Sequence, residues 1–131
     1  MNAKMGADTN ALNWFEIPVS DIDRATKFYE NVFDIQLHSS EMMGMKMAMF
    51  PADVSNGRVG GSLVQSKMHH PSATGAIIYL NANPDLQQAA DRIENAGGKL
   101  QMPKTLIDEQ SGYMAFFTDT EGNNVGLHSN N

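Results

Sequence analysis

Residues 12–33 read LNWFEIPVSDIDRATKFYENVF, and a change of period inside this stretch decides the fold. Residues 12–19 are rich in aromatic and β-branched side chains, as a strand is. Beyond them Ile22, Ala25, Phe28, Tyr29 and Val32 recur three or four apart. That spacing predicts an amphipathic helix over 21–32, with Asp23, Lys27 and Glu30 on its wet face. Ser20 is the expected N-cap, and Asp23 three residues on completes a short capping box. Asp21 and Asp23 also bring negative charge to the positive end of the helix. Asp34 begins a turn.

Three short strands are expected next, over 35–39, 44–50 and 59–66. Asn56-Gly57 marks a turn between the last two. Residues 67–75, KMHHPSATG, are rich in turn formers and read as a linker. The pattern then starts again. A strand is expected at 76–82, and Pro84 suits a first helical turn. Leu86, Ala89, Ala90, Ile93 and Ala96 form a second apolar stripe, closed by Gly97-Gly98. Strands at 99–102, 112–118 and 124–129 complete the series, with DTEGNN as the last turn.

Strand, helix and three strands therefore appear twice, with Asp21 and Asp85 opening the two helices 64 positions apart. The expected class is α+β: two tandem βαβββ modules, about 12–66 and 75–129, in one domain over 12–131. Residues 1–11 read as a polar N-terminal tail. Neither half has enough apolar surface to be comfortable alone.

Composition narrows the function. The 131 residues carry nine basic and fifteen acidic side chains, net −6, which speaks against a nucleic-acid partner. No apolar run approaches the roughly 18 residues that a membrane span needs. The opening MNAKMGADTN lacks the apolar centre of a secretory signal. There is no cysteine, which removes disulfides, thiolate metal sites and cysteine nucleophiles, and is compatible with a reducing, cytoplasmic setting. Ten methionines are present, five of them within 42–49. They read either as an adaptable pocket or interface or as ordinary filling. No phosphate loop, H-E-x-x-H or G-x-S-x-G pattern occurs.

The stretch FEIPVSDIDRATKFYENVF (15–33) resembles the opening module of the vicinal oxygen chelate superfamily, which includes glyoxalase I, bleomycin-resistance proteins and extradiol dioxygenases. YLN (79–81), AGGK (96–99), PKT (103–105) and DTEGNNVGLH (119–128) resemble the second module, so the likeness spans residues 13–129. The resemblance implies an open, barrel-like cleft, frequent homodimers and, in metal-bearing members, a divalent ion held by His, Glu or Gln. It places those ligands at positions that here are Trp14, Ile77 or Ile78, and Gly126. An indole N–H only donates, and the other side chains offer nothing to a cation. No cofactor and no metal ligand are therefore assigned, though a divalent ion on other positions stays open.

Glu16 interrupts an apolar strand and is a candidate catalytic base or polar anchor, against a structural carboxylate. His128 is a candidate proton-transfer partner, against a structural rim position. If both line the cleft, they converge from different strands. Trp14, Tyr79, Tyr113 and Phe117 are the candidate ligand-binding residues, with one of Phe116 and Phe117 expected to face the cleft. His69 and His70, adjacent in a polar loop, read as solvent-facing, and His38 is uninformative. The leading expectation is a metal-independent small-molecule binding protein. The alternative is a lyase, isomerase or dioxygenase acting on a small carbonyl or aromatic substrate, using Glu16 as base or a weakly held divalent metal. A third reading is an interaction protein whose cleft is closed by packing.

Overall fold

The computed structural model describes residues 3–131, so the first two residues of the expected tail lie outside it. β1 (Trp14–Pro18), α1 (Ile22–Phe33), β2 (His38–Met42), β3 (Met45–Met49) and β4 (Gly60–Gln65) form the first module. β5 (Tyr79–Asn81), α2 (Leu86–Ile93), β6 (Lys99–Asp108), β7 (Gly112–Thr118) and β8 (Asn124–Ser129) form the second. The sheets are ordered β1-β4-β3-β2 and β5-β8-β7-β6, so the two modules share one topology. In each, the first and last strands are parallel and the remaining neighbours antiparallel. Neither sheet closes into a barrel.

Both helices lie against the same core. Ile17, Val19, Phe28, Tyr29 and Leu63 from the first module pack with Leu80, Leu86, Ile93, Phe117 and Leu127 from the second. The apolar stripe of α1 supplies Ala25, Phe28, Tyr29 and Val32 to it, as its spacing predicts.

Several boundaries differ from expectation. Asp21, not Ser20, caps α1: its Oδ1 accepts the N–H groups of Asp23 and Arg24. The Ser20 N–H goes instead to Glu121, across the module boundary. Pro84 precedes the α2 cap, which is Asp85, and α2 ends at Ile93 rather than Ala96. β6 runs on to Asp108 through Pro103, which an edge strand tolerates because one side of it needs no ladder donor. β2 begins at His38, since Ile35 and Leu37 belong to the turn after α1.

The turn at 119–123 ties the second module to the first. Tyr29 Oη donates to Asp119 at 2.7 Å in the core, and Asn123 Nδ2 donates to the Pro18 carbonyl at 2.7 Å. Burial, with the neighbouring Asp119 carboxylate, pushes the Tyr29 hydroxyl well above its ordinary pKa. Glu121 accepts from the N–H groups of Ser20 and Asp21 and from both arms of Arg24, at 2.7–3.0 Å. Burial alone would raise the Glu121 pKa, but the hydrogen bonds from Arg24, Thr120 and the two backbone N–H groups prevail and bring it to about 2.

Candidate functional site

Strand alternation decides which side chains can meet a ligand. Ile17, Leu63 and Ala48 are paired neighbours turned to the helices. Their immediate neighbours along each strand point to the opposite, open face. One row there reads Glu16, Ser62, Met49, His38 across β1, β4, β3 and β2. The next reads Pro18, Val64, Met47, Ser40. In the second sheet the open face carries Tyr79 and Asn81, Gly126 and His128, and Met114 and Phe116.

On both sheets an aromatic ring lies across a glycine. Trp14 pairs with Gly60, and Tyr79 pairs with Gly126. A Cβ built on Gly126 would sit 2.6 Å from the Tyr79 ring, and one on Gly60 would sit 3.4 Å from Trp14 and closer still to Ala52 and Val54. Gln65 and Ser129 accept the first N–H of α1 and α2, so Ser62 and Gly126 hold matching places three residues before them. Tyr79 therefore stands where Glu16 does, and the equivalent of Trp14 is Ile77. The link from β5 to the α2 cap is one residue longer than that from β1 to the α1 cap, so counting seven back from Asp85 stops at Ile78, one residue past the true equivalent. Trp14 and Tyr79 are 39% and 49% exposed, so both rings present a face to solvent.

Glu16 Oε1 lies 2.7 Å from His69 Nε2, and His69 Nδ1 lies 2.6 Å from Ser66 Oγ. With Glu16 ionised, Nε2 carries the proton and donates. Ser66 Oγ already accepts the Met68 N–H, so its own hydrogen is free to reach Nδ1. The chain Ser66–His69–Glu16 is then satisfied with a neutral imidazole. His69 is therefore not a solvent-facing loop residue; its side chain is 16% exposed and pins the linker to β1. The S-x-x-H spacing at 66–69 was the only sequence trace of it. His70 is exposed.

The other candidates separate. His128 is on the open face of the second sheet, where its Nε2 donates to the Ser111 carbonyl at 2.6 Å. Glu16 and His128 each have a different partner, and no hydrogen bond joins them. Phe117 is fully buried among Phe28 and Tyr29, so it is core, and Phe116 takes the open side beside Tyr79. Tyr113 shares the helix-facing side with Phe117, its ring under the Lys104 ammonium at 4.4 Å. Trp14, Glu16 and Pro18 line a cavity of about 500 Å³ together with His70, Ile77 and Asn124. A second cavity of similar size runs past Phe15, Phe50, Tyr79 and Arg92 but holds no carboxylate.

These residues do not fit the divalent centre that the resemblance implies. The expected ligand positions hold Trp14, an isoleucine and Gly126; the Tyr79 ring fills the space over Gly126, while Ala52, Val54 and Trp14 crowd Gly60. Among the described residues no three His, Asp or Glu side chains gather to hold an ion.

The comparisons with known proteins agree with this architecture. A glyoxylase-like domain-containing protein of Didymella fabae is 29% identical, the match covering 86% of this chain and 88% of that one. A hypothetical protein of S. aureus superposes with a TM-score of 0.66 at 20% identity, over 92% of this chain and 95% of the other. Glyoxalase I of Zea mays superposes with a TM-score of 0.63 at 21% identity, over 89% of this chain and 43% of the maize protein. These likenesses speak to fold. The family model for the glyoxalase/bleomycin resistance protein/dioxygenase superfamily matches residues 11–127, and with the paired βαβββ modules in view, the chain belongs to that superfamily.

Proposed function

We propose that the protein binds a flat small molecule on the open side of its first sheet, without a divalent metal. The observation that carries this reading is the aromatic-over-glycine pair. Where metal ligands would stand, the chain offers Trp14, paired with Gly60, and Gly126, covered by the ring of Tyr79. An aromatic face beside an apolar cavity suits a planar ligand, and few polar groups suffice to orient it. Glu16 is the polar anchor on that rim: Oε1 is committed to His69, and Oε2 makes no hydrogen bond among the described residues. A carboxylate there favours a cationic or hydrogen-bond-donating ligand group.

Trp14 is the sole tryptophan, so its fluorescence reports the site directly. Titration with 9-aminoacridine, a planar cation, should quench it saturably. Glu16→Gln should weaken that binding about tenfold, the loss of one charge-assisted contact. The anionic analogue 9-anthroate should bind more weakly than the cation. Equal binding of the two, or no quenching by either together with no co-purified compound in native mass spectrometry, would refute the proposal.

The Ser66–His69–Glu16 chain favours a second reading, in which Glu16 is a general base on a small carbonyl substrate and His69 positions it. Glu16-dependent solvent deuterium exchange into dihydroxyacetone would move the assignment to a lyase or isomerase. A homodimer belongs to the same proposal, because Trp14, Met42, Tyr79 and Leu106 leave large apolar side chains exposed. Light scattering should give twice the 14.3 kDa chain mass. A cytoplasmic location is proposed with it, as a cysteine-free chain requires no oxidising compartment. No helix among the described residues is long and apolar enough to cross a membrane.

A further inference from the structure

The segment MKMAM places methionines at positions 45, 47 and 49 of one strand, β3. Strand alternation sends all three to one face, and the register sends them to the open one. Met47 and Val64 are both buried yet stand outside the helix-side core, which independently puts them on that face. β2 runs beside β3 and adds His38 opposite Met49 and Met42 opposite Met45. Directly opposed residues in an antiparallel pair have Cα atoms about 4.5–5.5 Å apart, and same-face neighbours along a strand about 7 Å. Methionine is unbranched and flexible, so two thioethers at i and i+2 and an imidazole across the ladder can converge on one point.

We propose that this face binds a soft monovalent cation, Cu(I) or Ag(I), through the thioethers of Met47 and Met49 and the imidazole of His38. Thioethers are soft and polarisable, and they select Cu(I) over hard divalent ions. The imidazole suits copper as well and supplies the stronger donor. The surroundings help. Met47 is 5% exposed and Met49 half-buried, so the cation would lose much of its water, while exposed His38 leaves a way in. Ser62, in the row between Met49 and Glu16, has a hydroxyl that is buried and without a hydrogen-bond partner, so this part of the face holds an unspent polar atom. The chain has no cysteine to compete for the metal. The site needs neither Glu16 nor the Trp14 platform, so it stands or falls apart from the ligand reading above.

Calorimetric titration with silver nitrate in chloride-free buffer tests it, with Cu(I) delivered anaerobically from bicinchoninate as the second probe. The expected result is one equivalent bound with a Kd of about micromolar or tighter, and no comparable binding of Zn(II). Met47→Leu with Met49→Leu conserves volume and should preserve the fold, checked by circular dichroism. This double variant should lose at least about 100-fold in affinity, since even changes around a metal's ligands cost 10–100-fold. His38→Gln, at an exposed position, should also weaken binding. Met43→Leu with Met68→Leu, which are 84% and 82% exposed, should not. Glu16→Gln should leave silver affinity unchanged. Failure to bind Ag(I) and Cu(I), equal binding of zinc, or full affinity in the Met47/Met49 variant would overturn the proposal.

Discussion

The two modules share one topology but hold their helices in different ways. In the second module the α2 N-terminus is served locally. Asp85 accepts from Gln87, Ser129 Oγ accepts the Leu86 N–H, and Lys104 reaches Asp85 at 2.9 Å, all from the same module. In the first, α1 is capped by Asp21 but clamped by Glu121, which lies about a hundred residues away in the other module. Tyr29 and Pro18 look to Asp119 and Asn123 in the same way. The first module carries Trp14 and Glu16 and serves its Ile22 N–H locally through Gln65, as Ser129 serves Leu86. The second module adds the Glu121, Asp119 and Asn123 contacts on top. A repeated topology therefore does not make two independent units. It makes one unit that braces another.

The sharpest way to break that asymmetry is Glu121→Ala. The side chain has no solvent exposure, and its loss strands the N–H groups of Ser20 and Asp21 and both arms of Arg24. Buried or half-buried groups left unpaired cost about 1–3 kcal/mol each, and water can recover part at an exposed helix end. The expected destabilisation is about 3 kcal/mol in urea unfolding. A loss below about 1 kcal/mol would mean that the clamp is ornamental and the modules brace each other through the apolar core alone.

Acid should read the same contact. The folded Glu121 pKa is about 2, against an ordinary 4.5, so the folded state resists its protonation. The stability it confers is fully present above about pH 4.5 and is lost as pH falls through 2. The span amounts to about 3 kcal/mol, at about 1.36 kcal/mol per pKa unit. Asp85 is also held below its ordinary value, first by the Lys104 hydrogen bond and then by the Gln87 N–H, so the second module titrates in the same direction. The expected difference lies in the variant: Glu121→Gln should flatten the stability curve between pH 5 and 2. An unchanged slope in that variant would assign acid sensitivity to other carboxylates.

The βαβββ repeat was legible because each element announces itself over short range. The α1 stripe from Ile22 to Val32 and the α2 stripe from Leu86 to Ile93 are local patterns, and packing only confirmed them. The site was legible only in part. Alternation put Trp14 and Glu16 on one strand face without any structure. It could not say which of Phe116 and Phe117 faced the helices, because parity within a strand is relative until one residue is anchored by a neighbour. The anchor for Phe117 is Phe28, far away in sequence. His69 was missed for the same reason: its partner Glu16 lies 53 residues back. Long-range partnership, not chemistry, is what the residues withheld.

The smallest test compares the caps themselves. Asp21 and Asp85 occupy matching places, and each has extended backbone with a carboxylate accepting from the first turn. Replacing either by alanine should cost about 1 kcal/mol, the usual worth of an N-cap. Their surroundings then separate them. Asp85→Ala also releases Lys104, whose ammonium would keep only its position over the Tyr113 ring. Because that ion pair is partly exposed, a double-mutant cycle with Lys104→Met should find little coupling between the two. Asp21→Ala leaves the Glu121 clamp in place, since Glu121 holds the Asp21 backbone N–H rather than its carboxylate. Combined with Glu121→Ala, however, it should cost more than the sum of the two, because the same helix end would then have lost both its cap and its brace. Simple additivity would show that cap and clamp act on separate groups, and that the bracing of the first module reaches only as far as the backbone atoms Glu121 touches.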